Sequence, residues 1–384
     1  MAYKTTMTGS FFRPKDIEEA LLKSETGELG HEYHSRVLEA ERKAVRDQLH
    51  PDSSKYGLNW VSNAEQGKSG YTTYIPNRFD GFSRTERVLN QFSPEFFNEL
   101  VEANPHMASS LMEASILKLN KIESPLIYKG EKLAREEASD AALIKKEEGA
   151  ERIFIPSPSP GVITVFYPPG KVYKDHLDYL YSLSKEISKE YRAILSVDGV
   201  DLQIDAPDLA MAKSLGVMWG MDFFDVLDDH VKAINDAIKG LDPRRIRVHY
   251  CYGNYSSSHM TDPEYERVLE SIVNLKVSTL VGEMANARHA GDPLILGRYT
   301  REHGWPGSLT FAVGVIDVKS PFVETPETVA LKLKNVADID EIGPERVMGG
   351  TDCGFQTFLG FENVPYTIAL KKLKSLAEGA RLEV

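Results

Sequence analysis

The chain of 384 residues contains two cysteines, and the first, Cys251, follows His249 by two positions in the run VHYCYGNY, 248–255. Residues i and i+2 of a strand share a face, so an imidazole and a thiol there point to one spot. Two later segments end on similar chemistry: LVGE on Glu283, and GGTDC on Cys353. Imidazole, carboxylate and two thiolates make a plausible zinc set, because soft sulfur and borderline nitrogen donors suit that ion. The bland reading stands beside it. Cysteine is among the most buried residue types and often only packs.

Other polar residues also sit at the ends of apolar runs. Ser10 follows Gly9 in TGSFFRP, Glu65 lies in NAEQGKSG, and Asp205 closes LQIDA. A glycine such as Gly9 lets a ligand approach the backbone closely. An acid at the end of a buried strand is costly unless a partner or substrate answers it. NAEQGKSG resembles the end of a phosphate-binding loop but has Ser62 at the first glycine position, so it is rejected. No G-x-G-x-x-G is present, which leaves a dinucleotide site unsupported.

Elements that would position these groups are readable. Eight apolar segments have strand character: 5–10, 56–64, 152–157, 201–206, 245–252, 278–283, 309–317 and 346–353. Helical stripes lie between them. Leu180, Leu183, Ile187 and Tyr191 form one, and Leu227, Val231, Ile234 and Ile238, with Gly240 as a stop, form another. Asp262-Pro263 and Thr325-Pro326 both look like a cap followed by proline at the first helical position. Strands buried on both faces and alternating with helices predict parallel βα units, and eight of them predict a closed (β/α)8 barrel over residues 1–384; a doubly wound open sheet is the alternative. In a barrel the chemistry sits at the C-terminal strand ends. Two stretches exceed a minimal barrel: a polar and aromatic loop near 66–92, and a charged helical excursion or hairpin near 118–150.

Composition narrows the function. Apolar residues make up 42% and charged residues 27%, and the net charge is −12. That charge argues against a general binder of nucleic acid or an anionic membrane, since both need a basic face; no run of about 18 apolar residues suggests a span, and the N-terminal residues lack a signal peptide's apolar core. Two cysteines form no disulfide framework, so a reduced cytoplasmic protein is expected.

Taken in order, TTMTGSFFRP, NAEQGK, LQIDAPDLA, VHYCYGNY, LVGEMANARH, GVIDVKSPFVETPE and GGTDCGF resemble the catalytic barrel of the cobalamin-independent methionine synthases. The resemblance is stronger to their short, single-barrel methionine synthase II relatives, a group that includes the epoxyalkane:coenzyme M transferases. It implies a (β/α)8 barrel with Zn2+ held by His249, Cys251, Glu283 and Cys353. It also implies that Ser10, Glu65 and Asp205 grip an amino-acid thiol such as homocysteine, with the two carboxylates on its ammonium group. The implied reaction is methyl (alkyl) transfer from 5-methyltetrahydrofolate or another carrier to that thiol. A bound zinc would be expected to lower the thiol pKa from its usual value near 8.5. Full-length synthases carry an additional N-terminal barrel with no counterpart here. They also have histidine in DIHSP as a proton donor, where this chain has DVKSP with Lys319 beside Asp317; those two are the candidate acid–base residues.

Two other readings remain. One is epoxide opening with coenzyme M, whose sulfonate would call for Arg13, Arg78 or Arg288; the other is a non-catalytic barrel with structural zinc. The partners expected are a small thiol and an alkyl donor. The oligomeric state is left open, a homo-oligomer included, and His259 and His289 receive no role.

Overall fold

The computed structural model describes residues 2–89, 92–113, 118–217 and 219–383. Its strands in chain order are β1 (Lys4–Thr5), β2 (Trp60–Ser62), β3 (Phe79–Leu89), β4 (Lys118–Tyr128), β5 (Arg152–Pro158), β6 (Val200–Asp205), β7 (Ile246–Tyr250), β8 (Thr279–Gly282), β9 (Thr310–Ile316) and β10 (Val347–Thr351). Eight of these form one parallel sheet in the order β1-β10-β9-β8-β7-β6-β5-β2, and a parallel bridge from Thr6 to Trp60 joins its two edges. The sheet is thus the eight-stranded barrel of a (β/α)8 fold, built from the eight apolar segments expected. β1 and β2 are shorter than those segments.

Apolar runs give strands here because both faces are covered: β6 and β7 are buried at every residue. The interior is packed. Arg247 points inward from β7 and donates to Gln203 Oε1 at 2.7 Å, Thr6 Oγ1 at 2.9 Å and the Met7 carbonyl at 2.9 Å. Its guanidinium also lies 3.8 Å over the Phe154 ring. Two positions further along each strand, Asp205 and His249 are register partners. Alternation thus carries them to the same inward face, one layer nearer the C-terminal rim.

The helical stripes are buried as their spacing requires. His176–Leu195 buries Leu180, Leu183, Ile187 and Tyr191, and Phe223–Ala237 buries Leu227, Val231 and Ile234. Thr325 caps Pro326–Ala337 by accepting from the Thr328 N–H. The Asp262-Pro263 expectation is corrected: that helix is Tyr265–Ile272, flanked by Glu264, and the Asp262 carboxylate is engaged elsewhere.

The two surplus stretches also differ from expectation. Within 66–92, of which 90–91 lie outside the described residues, a short helix Ile75–Arg78 leads into β3, and β3 pairs antiparallel with β4. Within 118–150 only β4 belongs to that hairpin. Helix Glu131–Glu148 lies in the barrel wall against helices His34–Leu49 and His176–Leu195, burying Ala134, Ala138, Ala141 and Ile144. No helix among the described residues is long and apolar enough to cross a membrane.

Candidate active site at the barrel rim

His249 lies on β7, Cys251 directly after it, and Cys353 two residues after β10. Their ligand atoms lie within 4.8 Å of one another, and all three are buried. His249 Nδ1 is 3.2 Å from the Val281 carbonyl, the geometry of an N–H donor, while Nε2 is buried without a hydrogen-bond partner. That tautomer presents a bare Nε2 lone pair, as metal-binding histidines do. The Cys251 thiol is pushed well up, first by the hydrogen bond with Cys353 and then by burial. Two adjacent buried thiols resist ionising together unless a cation sits between them. The trio therefore fits a soft divalent metal.

Glu283, expected as the fourth ligand, is not part of this cluster. It follows β8, fully buried, and its carboxylate accepts three hydrogen bonds. Oε1 accepts from Lys319 Nζ and from Asn286 Nδ2 at 2.6 Å, and Oε2 accepts the Tyr252 N–H at 3.0 Å. Lys319 also donates to the Gly253 carbonyl at 3.2 Å. Burial alone would lower the Lys319 ammonium, but Glu283 and Asp352 reverse that and hold it above its ordinary value. Asp317 Oδ1 accepts the Lys319 backbone N–H at 2.8 Å and so shapes the turn after β9.

Ser10, Glu65 and Asp205 line one cavity together with His249, Cys251 and Cys353. Ala64 and Glu65 both have positive φ, +65° and +57°, an unfavourable backbone for side-chain-bearing residues that aims Glu65 at the rim. Glu65 Oε2 is buried without a hydrogen-bond partner, with Arg13 Nη2 4.0 Å away. Burial, then the neighbouring Asp205, push Glu65 up to about 8. Asp205 is raised by its own burial, although Gln203 Nε2 donates to it at 2.6 Å. Two buried acids short of positive charge are a natural seat for an ammonium group. Gly9 is required beside them: at φ +52°, a Cβ there would stand 2.8 Å from Glu65 Oε1.

Sequence reasoning missed two features. One is a chain of buried, hydrogen-bonded histidines and aspartates tying the loops after β7 and β8. His289 bridges Asp292 at 2.8 Å and Asp262 at 2.9 Å, and Asp262 also meets His259 Nδ1 at 3.1 Å. Tyr252 stacks on His289 with centroids 3.8 Å apart, and Tyr255 stacks on His259 at 4.4 Å. The other is the cavity's far wall, built by Tyr71, Phe96, Phe166, Tyr255 and Phe358 from five separate segments. Aromatics scattered over loops and two different helices, which hold Phe96 and Phe166, share no periodicity to announce them. Arg13, Arg78 and Arg288 do not line the cavity. Arg13 is bonded to Gln356, Arg78 to Glu28 and Glu137, and Arg288 to the His259 carbonyl.

No family model matches the chain. A methionine synthase of Sulfurisphaera tokodaii is 24% identical over 378 residues, 98% of this chain and 91% of that protein. A methionine synthase of Thermococcus kodakarensis is 24% identical over 379 residues, 98% and 92% of the two chains. Among solved structures, a B12-independent methionine synthase from Shewanella sp. W3-18-1, in complex with selenomethionine, superposes with a TM-score of 0.71 at 20% identity, covering 99% of this chain and 97% of the other; that likeness shows the fold. Aligned along 98% of its length with the Sulfurisphaera and Thermococcus proteins at 24% identity, and folded as the Shewanella protein is, the chain is similar to proteins named methionine synthase.

Proposed function

We propose that the protein transfers a methyl group to the thiol of homocysteine, with Zn2+ as its cofactor, in the reducing cytoplasm where its two free cysteines stay unpaired. The observation that carries this reading is the shared cavity, with a His–Cys–Cys trio at one place and two cation-seeking carboxylates at another. An amino-acid thiol has one group for each.

His249, Cys251 and Cys353 would hold the metal. Three protein donors leave the open position that distinguishes a catalytic zinc from a structural one; Glu283, the expected fourth ligand, is paired with Lys319 and would join them only by giving up that ion pair. When bound, zinc would favour the thiolate form of the substrate sulfur at neutral pH. Glu65 and Asp205 would take the ammonium group, and Ser10 offers a hydroxyl at the same rim. Lys319, bound to Glu283 and the Gly253 carbonyl, positions the loops after β7 and β8. Coenzyme M fits less well, because no lysine or arginine among the described residues lines the cavity to meet its sulfonate.

The test is metal content with zinc–sulfur X-ray absorption, before and after adding homocysteine or coenzyme M. One zinc per chain that gains a sulfur neighbour from homocysteine alone is the expected result. A gain from coenzyme M alone would shift the reading to epoxide opening. A shell indifferent to both thiols would mark a structural site, and metal-replete protein without zinc would sink the proposal.

A further inference from the structure

Glu283 stands beside the trio yet is turned from it, and the strand register shows how near it lies. β7 and β8 pair His249 with Val281 and Tyr250 with Gly282, so the next step along both strands sets Glu283 opposite Cys251. Neighbouring strands run about 4.8 Å apart, and alternation carries Cys251 and Glu283 to the inward face shared by His249 and Val281. The Glu283 carboxylate also accepts the N–H of Tyr252, the residue after Cys251. A carboxylate so placed is a natural further ligand for a divalent ion held by the trio. Here an ammonium holds it instead.

That ammonium has a second acid to turn to. Asp352 is the next carboxylate, after Glu283, whose charge acts on Lys319. Asp352 Oδ1 accepts the Met284 and Ala285 N–H groups at 2.9 and 2.8 Å, while its Oδ2 is buried without a hydrogen-bond partner. Gly314 makes room for this carboxylate: a Cβ there would stand 2.1 Å from Asp352 Oδ1. Two buried acids, one with a bare oxygen, thus share one lysine. If Glu283 left it for a metal, Lys319 would still face an acid, and no buried positive charge would be stranded.

We propose that Lys319 is a positioning residue that receives Glu283 when the substrate sulfur takes its place beside the trio; the inference rests on the thiol reading above. In one arrangement Glu283 reaches the metal and Lys319 turns to Asp352 Oδ2. In the other, the one seen here, Glu283 and Lys319 are paired and the open position belongs to the thiol. The thiol gives its proton to solvent, its sulfur replaces the carboxylate oxygen, and one anion substitutes for another. Lys319 supplies the counter-charge that the departing carboxylate, buried away from water, would otherwise lack. It thereby biases the two arrangements toward the one that binds thiol.

In cobalt-loaded protein, a gain in thiolate-to-cobalt charge transfer reports homocysteine sulfur at the metal; in zinc-loaded protein, competition with a chromophoric chelator reports metal affinity. In Lys319→Met the affinity for homocysteine should fall roughly tenfold, while zinc is held at least as tightly as before because Glu283 is free to stay on it. Lys319→Arg should keep the thiol affinity, and Lys319→Met with Glu283→Gln should restore it. A lysine that merely braced the loops would lower both affinities together. Glu283→Gln alone carries the test if Lys319→Met does not fold. It has no carboxylate to displace and leaves Lys319 its bond to the Gly253 carbonyl, so homocysteine should bind at least as tightly as to the native protein. Native thiol affinity in Lys319→Met, a joint fall of both affinities, no recovery in the double variant or weaker binding in Glu283→Gln each overturns the inference, and homocysteine binding by the native protein leaves the thiol reading standing. No charge-transfer gain in the native protein overturns that reading and the inference with it.

Discussion

The Lys319 ammonium and the Glu283 carboxylate meet as a buried ion pair, their side chains 7% and 0% exposed. Breaking such a pair from one side leaves a stranded charge. Lys319→Met is therefore expected to destabilise the fold by about 3–5 kcal/mol, and Lys319→Met with Glu283→Gln should recover most of that loss. Urea unfolding of the three proteins checks it. A double variant as unstable as the single one would show that the lysine matters for some reason other than this pairing.

Glu65, held up to about 8 by burial and by Asp205, is largely protonated at pH 7. An ammonium ligand favours its ionised form, so binding should expel a proton. Methionine is the cleaner probe because it has no thiol to titrate. Calorimetry at pH 7 in buffers of different ionisation enthalpy should show proton release, and affinity should rise between pH 6.5 and 8.5. In Glu65→Gln both effects should vanish and affinity should fall at least tenfold. Proton release that persists in that variant would assign it to another group.

For His289 burial acts downward, but its bonds to Asp262 and Asp292 win and raise it to about 9. A histidine raised above its unfolded value near 6.5 gives stability that is complete below that pH and lost as pH climbs through about 9. The stability gap between the native protein and His289→Gln should be widest at pH 6 and narrow by pH 10. Urea midpoints at pH 6, 8 and 10 test the sign, and a gap that widens with pH would refute the assignment.

Gly161, on helix Pro160–Phe166, has no room for a side chain. A Cβ would fall 2.1 Å from Asp208 Oδ2 and 2.3 Å from His230 Nδ1, both in a buried network with Ser159 and His176. Gly161→Ala should cost about 1–3 kcal/mol by overpacking, read from the urea midpoint. Unchanged stability would mean that the network yields without loss.

The central barrel strands were legible because a strand buried on both faces writes a largely apolar run, whereas β1, Lys4–Thr5, writes none and was placed only by the segment that follows it. Helix Glu131–Glu148 was less so: its alanine stripe is thin among charges, and the segment read as an excursion. β3 gave no signal, since FDGFSRTERVL is largely exposed and shows no alternation. Of the candidate site, His249, Cys251 and Cys353 were singled out by residue type and strand ends, as were Glu65 and Asp205; an ammonium-binding role for the two acids came only from the resemblance. The Glu283–Lys319 pairing was not legible, because its partners stand in the loops after β8 and β9, 36 residues apart. Asp262 misled because a cap and an ion-pair acid look alike beside proline; its partners His259 and His289 decide the matter only in three dimensions.

The closing seam of the barrel sets the timetable of synthesis. β1 has β10 as its ladder neighbour, Thr8 bonds to Thr351 across 343 residues, and the Phe355 N–H reaches the Ser10 carbonyl. Cys353 reaches its two partners only once that final strand has left the ribosome. A growing chain therefore carries His249 and Cys251 without the second thiol, a bidentate claim on metal far weaker than the finished trio's. Under the proposed function, metal capture would wait until the ring has shut, and a chain truncated before β10 should neither close its barrel nor retain zinc.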